Sequence, residues 1–377
     1  MLEQFAHHWP LLVLIAPALA LLWILAVFIK YIRLMLNIFR DTPLPVLSGS
    51  DYPRLEGQPV WFRSFDGTRL RGMFLTRSML NESGTGEANS RDQEEPPLSP
   101  SSRGIVIFCH ELGSDRRSAT RYCRGLLEAG FDVFSFDFRG HGDSANSTAY
   151  QPRLWCTDKE VADCLGALLL VDAWIRARHL SVGIGLFGIS RGGSAAVLAA
   201  AEARGYLPVR AVVTDGAFSS DFLVETYLRK WVHIFARVRF VYENHPPVFW
   251  RLLRFILLKL ARLRFHCEFP SLQKSLDSIR RTALFFIHGE KDSYIPADQA
   301  TRLFDGAALP RYLWVVPDAR HNQAVARDPD GYFGRTVTFF ERHVAGASAC
   351  AESVETPESS PAPRAGLTQH LKSTPTC

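Results

Sequence analysis

The stretch LFGISRGG, Leu186 to Gly193, decides how this chain folds. Its Gly188, Ser190 and Gly192 fit the pattern Gly-x-Ser-x-Gly, in which a serine sits on a sharp turn between a strand and a helix. The pattern alone is weak, because at roughly 7% usage each for glycine and serine chance supplies about 0.1 such matches in a chain of this length. Its surroundings give it weight. SVGIGLFG (181–188) reads as a buried strand before the serine, and GGSAAVLAAAEAR (192–204) as a strong helix former after it. Small residues let strand and helix pack closely at the turn, and the start of the helix aims its free N–H groups at the site.

Working outward, short continuous apolar runs alternate with helical stretches: GIVIFCH (104–110), FDVFSFDF (131–138), AVVTDG (211–216), ALFFIHG (283–289) and RYLWVVP (311–317). Such runs separated by helices predict a parallel sheet covered on both faces, an α/β doubly wound arrangement. Upstream, VWFRSF (60–65) and LRGMFLTR (70–77) flank Asp66-Gly67, a hairpin signal. Thr157 and Glu160 form a capping box opening a helix over 157–178.

A serine hydroxyl needs a base to take its proton, and the base needs a third group to orient it. In doubly wound sheets such partners sit just beyond the carboxyl ends of later strands. IHGEKDSYIP places Asp292 three residues past a strand, and VVPDARHN places His321 shortly after the last one. The order Ser190, Asp292, His321 is that of the alpha/beta hydrolases. With DFRGHGDS (137–144), FIHGEKDSYIP (286–296) and ARHN (319–322), the chain resembles an alpha/beta hydrolase of the serine-aminopeptidase and monoacylglycerol-lipase-like branch over about residues 58–343.

The resemblance implies an oxyanion hole from the backbone N–H groups of Leu112 and Arg191, no metal and no cofactor. The branch usually carries His-Gly where this chain reads His110-Glu111-Leu112. A carboxylate at 111 would oppose a developing negative charge unless its side chain points away. Asp215, after the 211–216 strand, is the alternative orienting acid. His141 and Asp143 read as shapers of their turn, and the His7-His8 pair as polar flank outside the domain.

The remaining sequence sets the organisation. A net charge of +5 over 377 residues is too mild to imply nucleic acid, and no nucleic-acid-binding signature accompanies it. Seven cysteines without a CxxC pair fit a reducing compartment; Cys109, inside an apolar run, reads as a small core residue. LLVLIAPALALLWILAVFI (11–29) carries no charge; as a helix it measures about 28 Å, close to a bilayer core of ~30 Å. Lys30, Arg33 and Arg40 follow it, which places everything after residue 30 in the cytoplasm by the positive-inside rule. The expectation is therefore a single-pass anchor over 1–40, a linker over 41–57 and a hydrolase domain over 58–344. That domain carries a polar, disordered insertion at 81–103 and a helical lid at 220–280, and a disordered tail follows at 345–377.

Within the lid, Val224, Leu228, Trp231, Phe235 and Val238 form one apolar stripe at helical spacing. PVFWRLLRFILLKLARLRF (247–265) has five basic residues and no acid. At the helical period Arg251, Arg254, Lys259 and Arg262 fall within an arc of about 140°. Opposite lie Phe249, Leu253, Ile256, Leu260 and Leu263, a pattern suited to an anionic bilayer surface. Equally, the apolar side covers the domain core while the arginines face water. The expected activity is hydrolysis of a small-molecule or lipid acyl ester, with a peptidase or amidase, or an inactive binding module, as the alternatives.

Overall fold

A computed structural model of the chain describes residues 57–80, 101–144, 150–235 and 246–345, together with Leu55 and part of the stretch 15–36; for 231–235 only the backbone is described. The sheet has eight strands: β1 (Gln58–Arg63), β2 (Arg69–Leu75), β3 (Ile105–Cys109), β4 (Asp132–Phe136), β5 (Ile184–Ile189), β6 (Val209–Asp215), β7 (Ala283–Gly289) and β8 (Arg311–Val316). They lie in the order β1-β2-β4-β3-β5-β6-β7-β8. Strand β2 runs antiparallel to both its neighbours, and every pairing from β4 to β8 is parallel. The Asp66-Gly67 turn closes the β1–β2 hairpin, with Asp66 Oδ1 accepting from the Thr68 N–H at 3.2 Å and Gly67 at φ +88°.

Helices α1 (Ala119–Glu128), α2 (Asp158–Ala177) and α3 (Arg191–Glu202) follow β3, β4 and β5. Between β6 and β7 come α4 (Ser220–Phe235), α5 (Pro247–Phe265) and α6 (Leu272–Leu276); α7 (Asp298–Gly306) joins β7 to β8, and α8 (Ala324–Arg327) and α9 (Pro329–His343) end the domain. The strands bury both faces because alternate residues point opposite ways. Ile105, Ile107 and Cys109 pack with α2, α3, α6 and α7, whereas Val106 and Phe108 pack with α1, α8 and α9. Burial of each such aliphatic or phenyl side chain stabilises the fold by roughly 1.5–3 kcal/mol. The capping box forms: Thr157 Oγ1 accepts from the Lys159 N–H, and Glu160 Oε2 accepts from the Thr157 N–H at 2.9 Å.

A third cluster lies along the edge where the parallel strands end. Val224 and Leu228 of α4 and Trp250, Leu253, Leu257 and Ala261 of α5 close over Trp155, Phe218 and Ile295 from the loops. Of the apolar stripe expected on α4, the side chains of Trp231, Phe235 and Val238 lie outside the described residues. The α5 helix keeps most of its expected division into two faces. Leu253 is buried and Phe249, Ile256 and Leu260 pack partly buried against the same cluster, joined by the buried Trp250, Leu257 and Ala261, while Arg251, Lys259 and Arg262 are exposed. Leu263 departs by facing outward, and Arg254 pairs with Glu225 at 3.0 Å.

Among the described residues no helix is long and apolar enough to cross a membrane. The span expected over 11–29 is only partly described. Ile15, Leu19, Leu22, Trp23 and Leu25 are helical and exposed, and residues 11–14, 16, 24, 27 and 28 lie outside the described residues. Most of the insertion expected at 81–103 and nearly all of the tail expected at 345–377 also lie outside them. Cys109, Cys123, Cys156, Cys164 and Cys267 are free thiols, all buried.

Candidate active site

Ser190 stands at the junction of β5 and α3 with φ +52° and ψ −119°. A serine rarely adopts positive φ, so tight packing must impose it. The glycines around it allow that packing: a Cβ on Gly192 would meet the carbonyl oxygens of Cys109 and His110 at 2.3 and 2.4 Å. The Ser190 N–H donates to the Asp215 carbonyl at 2.7 Å, which ties the turn to the end of β6. Its side chain is thereby held up at the rim, where Oγ lies 3.0 Å from His321 Nε2.

The imidazole is held from its other nitrogen. His321 Nδ1 lies 2.6 Å from Asp292 Oδ2. A carboxylate only accepts, so Nδ1 carries the proton and Nε2 is free to accept from the Ser190 hydroxyl. Asp292 Oδ1 accepts from the N–H groups of Tyr294 (2.9 Å) and Ile295 (2.8 Å), which fixes the carboxylate plane. The loops carrying the two residues are stitched together: Glu290 N–H donates to the Val316 carbonyl at 3.0 Å and Lys291 N–H to the Ala319 carbonyl at 2.8 Å. They cross so closely that a Cβ on Gly289 would sit 2.5 Å from the Ala319 carbonyl oxygen. The Tyr227 hydroxyl of α4 donates to the Tyr294 carbonyl at 2.9 Å, which bonds α4 to the Asp292 loop.

Sequence reasoning missed a second imidazole behind the acid. His288 Nε2 lies 2.8 Å from the Ile295 carbonyl and 3.5 Å from Asp292 Oδ2. Burial lowers its pKa, so it stays neutral and donates to that carbonyl. Only its position four residues before Asp292 hinted at this, and a histidine inside a buried strand carries no motif.

The loop after β3 is equally tied down. His110 Nε2 accepts from the Phe138 N–H at 3.1 Å, which leaves Nδ1 as the donor to the Glu111 carbonyl at 2.7 Å. Burial pushes this histidine down to about 3, so it is a neutral brace. Leu112 follows in the turn, and Arg191 opens α3, where backbone N–H groups lack partners within the helix. Glu111 is half-buried; its Oε1 lies 3.5 Å from the Tyr122 hydroxyl, and its buried Oε2 has no hydrogen-bond partner among the described residues. Burial raises its pKa and favours the neutral acid. The objection raised by a carboxylate at this position is correspondingly weakened.

Neighbouring charges brace the site. The Arg191 guanidinium is buried, donating to the Arg153 carbonyl at 2.9 Å and lying 3.4 Å from Glu160, the capping-box acid. Its other arm donates to His141 Nε2 at 3.2 Å, and burial together with this cation holds His141 down to about 2. His141 is a structural acceptor here, and Asp143 pairs with Arg116 at 2.7 Å to shape its turn. Among the described residues no cluster of His, Cys, Asp or Glu is arranged to hold a metal ion.

Asp215, the alternative acid, is turned elsewhere: its Oδ2 accepts from the Tyr332 hydroxyl at 3.0 Å. Burial pushes its pKa up to about 7 from 3.8. Below pH 4 folded and unfolded chains both hold this proton. Between pH 4 and 7 only the folded chain does, so the folded state becomes progressively less favoured as pH rises, with the full penalty present above 7. Asp215→Asn is accordingly expected to raise stability at pH 8 by roughly 2–4 kcal/mol while leaving it nearly unchanged near pH 4. Thermal melts of both proteins across that range check it; a pH-independent difference contradicts it.

The comparisons with known proteins bear on this arrangement. The family described as "Serine aminopeptidase, S33" matches residues 100–244. The chain is 25% identical over 289 residues to the uncharacterized protein YfhR of Escherichia coli O157:H7, covering 75% of this chain and 80% of that protein. It is also 25% identical over 229 residues to the uncharacterized protein YqkD of Bacillus subtilis, covering 60% and 68%. Among solved structures it resembles an esterase of Pyrococcus furiosus with a TM-score of 0.51 and 21% identity, over 81% of this chain and 96% of that one. The fold is the alpha/beta-hydrolase fold, with its mostly parallel eight-stranded sheet.

Proposed function

We propose that the protein is a serine hydrolase that cleaves carboxylic esters through an acyl-enzyme. The observation that carries this reading is the unbroken hydrogen-bond chain from Ser190 Oγ through His321 to Asp292, with the serine on a strained turn. Ser190 attacks the acyl carbonyl carbon as His321 Nε2 takes its proton. Asp292 holds the imidazole in the required tautomer and stabilises the imidazolium that forms. The tetrahedral oxyanion is received by the N–H groups of Leu112 and Arg191, each such donor contributing ~3 kcal/mol to transition-state stabilisation. The imidazolium then protonates the leaving alcohol, and water, activated by the same imidazole, releases the acid.

The helices α4 and α5 act as a lid over the site, offering apolar walls to an acyl chain. The N-terminal apolar segment over 11–29 serves as a membrane tether, with the domain in the cytoplasm. Exposed Leu22 and Trp23 and the basic residues that follow support this placement.

An ester is favoured over an aminoacyl amide by the electrostatics around His321. An aminopeptidase needs a carboxylate near the nucleophile to hold the substrate ammonium. Burial raises the pKa of Glu111 and pushes that of Asp215 up to about 7, which disfavours a charged carboxylate at either of these positions near the site. The match to a serine-aminopeptidase family supports the alternative reading. A panel of p-nitrophenyl acyl esters run beside aminoacyl p-nitroanilides tests the choice. The expected result is turnover of the esters with amide rates lower by at least about 100-fold, a gap of roughly 3 kcal/mol in barrier. Faster cleavage of the aminoacyl amides would reject the ester assignment.

A further inference from the structure

The outward face of α5 carries large apolar side chains that nothing in the described structure covers. Val248 is 62% exposed, Leu252 55%, Phe255 57% and Leu263 70%. Their spacing along the helix sets them on one stripe, opposite the covered Trp250, Leu253, Leu257 and Ala261. Exposed Arg251 and Lys259 stand on the same side without an acidic partner among the described residues, and Lys259 Nζ lies 5.3 Å above the Phe255 ring. Large apolar side chains flanked by long cations are the chemistry of a helix lying in an anionic lipid interface. A water-facing helix has no use for four large apolar groups in line.

A second observation selects a lipid surface over a protein partner. Ile32 and Met35, just past the apolar segment 11–29, are buried in the same cluster as Trp250, Leu253, Leu257 and Ala261. The root of that segment therefore joins the same apolar cluster as the covered side of α5. Whatever surface receives residues 11–29 also lies within reach of the stripe.

We infer that the outer face of α5 docks onto an anionic bilayer, with Val248, Leu252, Phe255 and Leu263 entering the acyl boundary and Arg251 and Lys259 meeting lipid phosphates. Docking sets the edge where the parallel strands end, and with it the Ser190 rim, toward the lipid. The surface stands independently of the ester-cleavage reading, and its test uses no Ser190 chemistry.

The full-length chain, carrying a benzophenone amino acid in place of Phe255, is to be irradiated with vesicles of phosphatidylcholine alone or with one-third phosphatidylglycerol. Tyr206, an exposed residue just before β6 at the opposite strand ends, takes the same probe as control. Mass spectrometry is expected to find lipid adducts at 255 and not at 206, several-fold more abundant with phosphatidylglycerol. Arg251→Glu with Lys259→Glu should lower them several-fold while the thermal midpoint stays unchanged. No lipid adduct at 255, equal adducts in both vesicle types, or a protein–protein adduct instead would overturn the inference. A charge-reversed pair that does not fold is replaced by Arg251→Gln with Lys259→Gln, with the same readout.

Discussion

Replacing Ser190 by alanine is expected to lower ester hydrolysis by about 10⁴- to 10⁶-fold without lowering the thermal midpoint appreciably. Among the described residues the serine hydroxyl makes one side-chain hydrogen bond, 3.0 Å to His321, so its loss leaves no other described buried group unpaired. Alanine also keeps a Cβ at the strained turn, which preserves the packing around Gly192. Asp292→Asn should cost on the order of 10⁴-fold, because an amide presents a donor as well as an acceptor and allows the imidazole its unproductive tautomer. A rate loss under tenfold in Ser190→Ala, measured on purified, folded protein, contradicts the assigned nucleophile.

The largest expected effect on stability lies away from the reacting groups, at Arg139. Its guanidinium ties its own loop to two other parts of the chain: it pairs with Asp163 on α2 at 2.5 Å, and in the β1–β2 turn with Asp66 at 2.7 Å and Ser64 Oγ at 3.0 Å. Asp163 is fully buried, and burial holds its pKa up at about 6 even with the arginine beside it. Arg139→Met keeps the apolar stem but leaves that carboxyl without its counter-ion. Breaking a buried pair on one side costs about 3–5 kcal/mol, equivalent to a fall of roughly 5–15 °C in the thermal midpoint. Protonation of Asp163 relieves the defect, so the loss should be smaller at pH 5 than at pH 8. A variant as stable as the parent at pH 8 would show that the network is neutral for folding.

Much of this architecture was legible because local signals agreed with one another. Apolar runs bounded by helical stretches marked the six parallel strands β3 to β8, and the runs 104–110, 131–138, 283–289 and 311–317 overlap β3, β4, β7 and β8. The capping box at Thr157 and Glu160 and the hairpin turn at Asp66-Gly67 were fixed by neighbours a few residues apart. Positions after strand ends also pointed to the meeting of Ser190, Asp292 and His321, since a parallel sheet brings those ends to one edge.

What stayed hidden depends on contacts between distant segments. Nothing near Asp215 in the sequence announces that Tyr332, 117 residues later, caps its carboxyl, or that Asp292 therefore meets the imidazole without competition. His288 gave no signal because its role is to brace a loop from inside a strand. Glu111 reads as an obstacle when its charge is taken for granted; its burial, which raises its pKa, depends on packing from other elements that the local sequence does not show. On α5 only Leu263 departed from the apolar side that its periodicity gave, because that pattern describes a helix alone and not where the packed cluster ends.

The most direct test of the central claim is the site of reaction with a fluorophosphonate, which captures only a serine whose proton has somewhere to go. Intact-mass and peptide analysis of the labelled chain should place one phosphonyl group on Ser190, with labelling abolished in Ser190→Ala and strongly slowed in His321→Ala. Folded protein that takes no label, or takes it at another residue with Ser190 unmodified, would contradict the account.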